Sequence, residues 1–293
     1  MTTHTEAEIA SQPDCWRRAV AETPRDALPR PGERVAVIGC GTSWFVAQSY
    51  AVLREEAGHG ETDAFAASEF PTGRPYDRVL ALTRSGTTTE VLDALAVLRG
   101  RGVRTSAVTA SPGTPVMTAA DEIVMLDFAD ERSVVQTRFA TTQLALLRAH
   151  LGEDLTGAVA DAERALAAPL PEVALTAEQF TFLGRGWPYG LALEAALKMR
   201  EACRAWTESY PAMEYRHGPI SIAGPNRVTW VLGEGAPGLR AEVEAAGGAF
   251  LDSPLDPMAE LVTVQRVAVA RALAQGLDPD EPLNLTRSVI LPS

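Results

Sequence analysis

Apolar residues fall in short continuous runs, not in alternation. The first regular run is Arg34-Val35-Ala36-Val37-Ile38-Gly39, bounded by Gly32 and Gly41. Such a run, closed by glycines, predicts a strand covered on both faces, as in a parallel sheet. Comparable runs predict strands over 78–83, 105–109 and 122–126. Between them the pattern lengthens to helical spacing and predicts helices over 44–56, 90–101 and 134–150. A second series follows, with strands over 179–184, 227–233 and 249–252 and helices over 191–205, 238–246 and 260–275. Strand and helix alternating in this way predict parallel sheets with helices on both faces. The expected fold is therefore α/β, two doubly wound αβα domains in tandem.

Punctuation sets the expected boundaries. Residues 1–32 read as an extension with one helix around 7–22, broken or started near Pro13, and a linker at Pro24, Pro29 and Pro31. Residues 33–150 form the first expected domain. Residues 151–175 connect it to the second through a helix over 152–168 and a break at Pro169 and Pro171. Residues 176–293 form the second domain with a tail. The length of 293 residues agrees, at roughly 150 residues per domain.

Composition narrows the function classes. Apolar residues at 46% and charged residues at 22% exclude a disordered chain. A net charge of −12 argues against a general nucleic-acid binder, which needs a basic footprint, but leaves room for a small anion in a local pocket. Cys15, Cys40 and Cys203 include no CxxC pair, so neither a disulfide framework nor a zinc site is expected, and no metal is assigned. No apolar run reaches membrane-spanning length, and no basic start precedes an apolar core, so a cytoplasmic protein is expected. Lys198 is the one lysine among 26 Lys and Arg residues. Codon drift explains the depletion, but lysine's compact amine is not interchangeable with a guanidinium, which makes the survivor a candidate for a role.

Two turns have the chemistry of an anion site. Gly39-Cys40-Gly41-Thr42-Ser43 follows the first strand, and Thr83-Arg84-Ser85-Gly86-Thr87-Thr88 follows another. Strand ends before helices present backbone N–H groups and a positive dipole end, and such sheets bind ligands at their carboxyl edges. Hydroxyls at both turns suit a phosphate monoester, with Arg84 as a charged contact. The simpler reading is helix N-capping by Ser43, Thr87 or Thr88. Neither turn is a GxGxxG or GxxxxGK[ST] loop, so no nucleotide cofactor is expected. In the second half, Glu194, Lys198 and Glu201 stand at i, i+4 and i+7 on one helix face, and His217 follows in Glu214-Tyr215-Arg216-His217-Gly218-Pro219. Glu194–Lys198 reads equally as an ordinary surface pair. Near a phosphate site, a carboxylate and an imidazole form a proton-transfer pair. His4, His59 and His150 lack such company.

These motifs jointly resemble the sugar isomerase (SIS) domain proteins, in particular the isomerase half of glucosamine-6-phosphate synthase and free-standing relatives. The resemblance runs from Glu8-Ile9-Ala10-Ser11-Gln12-Pro13 through both hydroxyl turns, Glu131 to Leu144, Leu183-Gly184-Arg185-Gly186, Ala192 to Lys198 and Arg216-His217-Gly218-Pro219. It implies flavodoxin-like domains and a sugar phosphate as small-molecule partner, with no cofactor, nucleic acid or membrane. By position it implies phosphate binding by Thr42, Ser43, Thr83, Ser85 and Thr88, and a sugar lining from Val134 and Gln136. It implies Glu201 as the base between C1 and C2, Lys198 beside it, and His217 as the ring-opening histidine supplied by the neighbouring subunit of a homodimer. Arg287 stands in the tail where the synthase has an imine-forming lysine, and an always-protonated guanidinium cannot form that imine. Arg84 replaces a glutamine and Gln136 a serine, so the substrate is expected to differ from the synthase's. With residues 1–32 ahead of the first strand, glutamine-dependent synthesis is not expected. The expected activity is phosphosugar isomerisation with loss of ammonia. A plain aldose–ketose isomerase and a non-catalytic phosphosugar-binding regulator are the alternatives.

Overall fold

A computed structural model describes residues 2–292. The chain opens with α1 (His4–Ala10) and α2 (Gln12–Glu22). Then come β1 (Val35–Gly39), α3 (Thr42–Glu56), β2 (Thr62–Ala66), β3 (Arg78–Leu82), α4 (Thr89–Gly100) and β4 (Arg104–Thr109). α5 (Val116–Ala119), β5 (Glu122–Met125) and α6 (Arg138–His150) follow, then α7 (Thr156–Ala167), α8 (Glu172–Thr176), β6 (Gln179–Gly184) and α9 (Pro188–Cys203). β7 (Trp206–Pro211), β8 (Arg227–Leu232), α10 (Leu239–Ala245), β9 (Ala249–Leu251) and α11 (Pro257–Ala274) complete the order.

Two compact units result. One gathers the chain up to Pro13, Arg132–Thr137 and Thr156–Leu285; the other gathers Asp14–Glu131, Arg138–Leu155 and the tail from Thr286. The second of these holds a five-stranded parallel sheet of order β2-β1-β3-β4-β5. That is the flavodoxin-like doubly wound order, whose switch point lies between β1 and β3. Val35 pairs with Thr62 of β2 and with Arg78 of β3. All five residues of β1 and all five of β3 are buried, which is why β1, and β3 after its paired Arg78, read as apolar runs. Ile38, Val79, Ala81, Val91, Leu95 and Leu98 pack in one core cluster. Each of the Ile, Val and Leu side chains there contributes roughly 1.5–3 kcal/mol by leaving water. The other unit repeats the plan with four parallel strands, β7-β6-β8-β9. Phe180, Phe182 and Trp230 stack along its sheet at centroid spacings of 6.0 and 5.9 Å.

A glycine at the end of the first strand lets the following helix start close by. A Cβ at Gly39 would lie 2.8 Å from the Ser43 backbone and Cβ, and one at Gly184 would lie 2.4 Å from the Pro188 carbonyl oxygen. Any side chain there forces the helix off the strand end, and with it the turn that the helix begins.

Three local features differ from the sequence reading. β2 and β7 were not expected; both are edge strands, half exposed and mixed in polarity, so neither shows an apolar run. The N-terminal helix is two helices, parted at Ser11, just before Pro13, and α1 opens with a Thr3–Glu6 capping box. The helix expected from 134 starts at Arg138, because 132–137 is irregular and the Glu131 carboxylate accepts the Arg138 N–H at 2.7 Å, capping α6 from outside.

Candidate active site

In the unit with the five-stranded sheet, β1 and β3 are hydrogen-bonded neighbours, so the turns that leave their carboxyl ends lie side by side at the switch point. Thr42, Ser43, Thr83 and Ser85 are buried, and Thr87 and Thr88 are half-buried. Helix capping does not account for the hydroxyls. Gly41 is the N-cap of α3, and Thr88, the N-cap of α4, makes no side-chain capping bond. The Thr87 hydroxyl instead meets Ser85 Oγ at 3.1 Å and Ser288 Oγ at 2.9 Å. Ser85 Oγ lies 3.1 Å and Thr88 Oγ1 3.5 Å from that same Ser288 hydroxyl. Three hydroxyls of one turn thus converge on one oxygen from the tail. The turn is compact because Gly86, at φ +64°, leaves no space for a Cβ: one would fall 2.2 Å from Thr114 Oγ1.

Arg84 is oriented differently from the sequence expectation. Its guanidinium is 2% exposed, donates to the equally buried Glu131 at 3.1 Å and to the Arg287 carbonyl oxygen at 3.2 Å. The pair ties the hydroxyl turn to the cap of α6 and to the tail. Arg287 itself is pinned by the Asp130 carboxylate and the Glu131 carbonyl oxygen. In the sequence Ser288 has no marked role and Glu131 only opens the resembling stretch to Leu144; both gain partners far along the chain.

If these hydroxyls hold a phosphate, the Ser85→Ala, Thr88→Ala double variant raises KM for a phosphorylated sugar by about tenfold or more per hydroxyl, the scale of a hydrogen bond to a charged group. Titration with the sugar phosphate and with its dephosphorylated form checks this; equal loss for both forms places the anion elsewhere.

In the other unit, α9 starts at Pro188 and ends at Arg204, a left-handed C-cap with φ 54°. It packs on α11, β6 and β7, and this buries the face that carries Glu194 and Lys198. Lys198 is 1% exposed, and its Nζ contacts Glu201 directly and lies 3.4 Å from Glu194 Oε1, itself fully buried. The surface-pair reading of Glu194–Lys198 is thereby excluded. Glu201, 17% exposed, alone of the three reaches an opening. It lines a cavity of about 110 Å³ with Ala202, Arg204, Leu277, Asp278, Glu281, Pro282 and Leu283. The arrangement is a carboxylate paired with an adjacent ammonium and open to a small ligand, which suits proton transfer.

Val134 and Gln136 sit on the irregular segment 132–137 of the same unit. Gln136 Oε1 is buried and has no hydrogen-bond partner among the described residues. His217 follows a short 3-10 turn, Glu214–Arg216, and is exposed. Among the described residues no cluster of metal-binding side chains occurs, and no helix is long and apolar enough to cross a membrane. Cys40, in the first hydroxyl turn, has its thiol pushed up to about 11 by burial and by Glu90, so it stays protonated at neutral pH.

Residues 30–151 match the SIS domain family. A glutamine–fructose-6-phosphate aminotransferase (isomerizing) of Gloeobacter violaceus is 30% identical, over 88% of this chain and 52% of that protein. The chain spans about half the length of the curated relatives it matches. Among solved structures, a glucosamine-6-phosphate deaminase from Thermotoga maritima has a TM-score of 0.84 at 24% identity, covering 99% of this chain and 100% of that one. A tagatose-6-phosphate ketose/aldose isomerase from Escherichia coli has a TM-score of 0.76 at 18% identity, covering 97% of each chain. At these identities both structures speak to the fold alone.

Proposed function

We propose that the chain, whose residues 30–151 match the SIS domain family, is a phosphosugar isomerase/deaminase that moves a proton between C1 and C2 of an open-chain amino-hexose 6-phosphate. The observation that carries the reading is the buried Glu194–Lys198–Glu201 row, which presents one carboxylate to a cavity. The hydroxyls of Ser43, Thr83, Ser85 and Thr88, with adjacent amides, hold the phosphate. His217 assists ring opening. Glu201 removes the C2 proton of the aldose and returns it to C1. A 2-amino sugar then becomes a 2-imine; water adds to it and ammonia leaves, giving the ketose phosphate. Lys198 holds the Glu201 carboxylate in place through their direct ion pair. Arg287 is not an imine-forming group, so the chemistry runs through the enolamine and not through an enzyme-bound imine.

The test is a panel of hexose and amino-hexose 6-phosphates assayed for ammonia and ketose. Ammonia with ketose supports the reading. Ketose from plain sugars without ammonia reassigns it to an aldose–ketose isomerase. Tight binding without product makes it a phosphosugar sensor.

The same reading makes the enzyme a homodimer in which His217 completes the neighbouring copy's site. Inactive Glu201→Gln and His217→Ala proteins, mixed under conditions of demonstrated subunit exchange, then recover activity, because one hybrid site carries both intact residues. No recovery, or an active monomer, contradicts shared sites.

A further inference from the structure

Glu8, in α1, is 3% exposed. A carboxylate that far from water persists only with hydrogen bonds to its charge. Three donors to it come from one short segment. Oε1 accepts the Arg132 N–H at 2.6 Å and the Ser133 N–H at 3.3 Å, and Oε2 accepts the Ser133 hydroxyl. That hydroxyl also lies 2.8 Å from the Val135 carbonyl oxygen. Residues 132–137 have no helix or strand of their own, so these bonds stand in for a ladder.

The same N-terminal segment holds a second loop. The Asp280 carboxylate accepts the His4 N–H at 2.8 Å, the Thr5 N–H at 2.7 Å and the Thr5 hydroxyl at 2.6 Å. The Asp280 carbonyl oxygen accepts the Val134 N–H at 2.9 Å. Residues 278 and 281, on either side of that contact, line the cavity at Glu201. Burial raises the Asp280 pKa, but these bonds from Thr5 and His4 more than offset it and leave the carboxyl below its ordinary value. Residues 4–8 therefore tie the segment bearing Val134 and Gln136 to the loop beside the candidate base.

We propose that Glu8 is a positioning residue of the active site, whose buried carboxylate fixes the 132–137 segment so that Val134 and the unpartnered Gln136 acceptor meet the sugar. The proposal rests on the reading of Val134 and Gln136 as sugar contacts given above. Misplacing a substrate-orienting segment by about an ångström costs on the order of 10²-fold in rate. Glu8→Ala accordingly loses kcat on that scale, with inorganic phosphate still inhibiting at the wild-type concentration. Glu8→Gln, which keeps an acceptor for the two amides, recovers most of the loss. Ser133→Ala moves kcat the same way by less, and serves in place of Glu8→Ala if that variant fails to fold. Amide hydrogen exchange over 132–137 accelerates in step. A structural role alone lowers the melting temperature and leaves kcat of the folded protein unchanged, and that result overturns the proposal. Should the wild type turn over no sugar phosphate, the proposed function fails by itself. Hydrogen exchange then decides on the clamp, and unchanged exchange over 132–137 in Glu8→Ala rejects it.

Discussion

Glu201→Gln lowers kcat by about 10²–10⁴-fold, the usual contribution of a positioned base, and leaves inorganic-phosphate binding unchanged. The amide keeps the size of the side chain and can still accept from Lys198, so the cavity of about 110 Å³ keeps its lining. What is lost is the ability to take a proton. Glu194→Gln is the informative companion. It stands next to the same ammonium but is fully buried, so it has no route to a substrate. Its removal disturbs folding more than chemistry. If Glu194→Gln and Glu201→Gln lose kcat equally at equal stability, the carboxylates act as a unit and the assignment of a single base is wrong.

The second large effect is on stability. Lys198→Met leaves the Glu194 carboxylate buried without its ammonium, and removing one partner of a buried pair costs about 3–5 kcal/mol. Lys198→Arg keeps the charge but places a longer, planar fork where the side chain is 1% exposed. Overpacking of this kind costs about 1–3 kcal/mol. The control is Arg240–Glu244, a pair with the same i, i+4 spacing whose members are 47% and 53% exposed. Arg240→Lys changes stability by less than about 0.5 kcal/mol, as exposed substitutions do. Urea midpoints of the three variants check the contrast. A Lys198→Arg midpoint equal to that of Arg240→Lys contradicts the buried row.

That contrast also shows where the sequence stops being informative. Glu194–Lys198 and Arg240–Glu244 are indistinguishable by spacing; only the packing of α9 on α11 separates a buried row from a solvated pair. The lysine's isolation among arginines was a compositional hint, and it pointed to a residue the fold does bury. Strands at the centre of each sheet were legible because two covered faces demand continuous apolar runs, as in β1, β3, β6 and β8. β2 and β7 were not legible, because an edge strand with partial exposure has no such requirement. The two hydroxyl turns were legible as candidate anion sites from residue types alone. Their convergence needed the adjacency of β1 and β3, which is a property of topology. Arg84 shows the same limit in reverse. Its residue type suggested a contact with the ligand, and its buried partner Glu131, 47 positions away, directs the guanidinium elsewhere. Glu8, Asp280 and Ser288 act through partners more than a hundred residues distant, and no local pattern marks them.

The central claim is that the protein moves a proton between C1 and C2 of a sugar phosphate through Glu201. It is tested most directly by running the wild-type enzyme and Glu201→Gln in D₂O with an amino-hexose 6-phosphate and reading deuterium at C1 of the ketose product. The account predicts solvent deuterium at C1 with wild type and almost none with Glu201→Gln at equal phosphate occupancy. Undiminished deuterium incorporation in Glu201→Gln contradicts it.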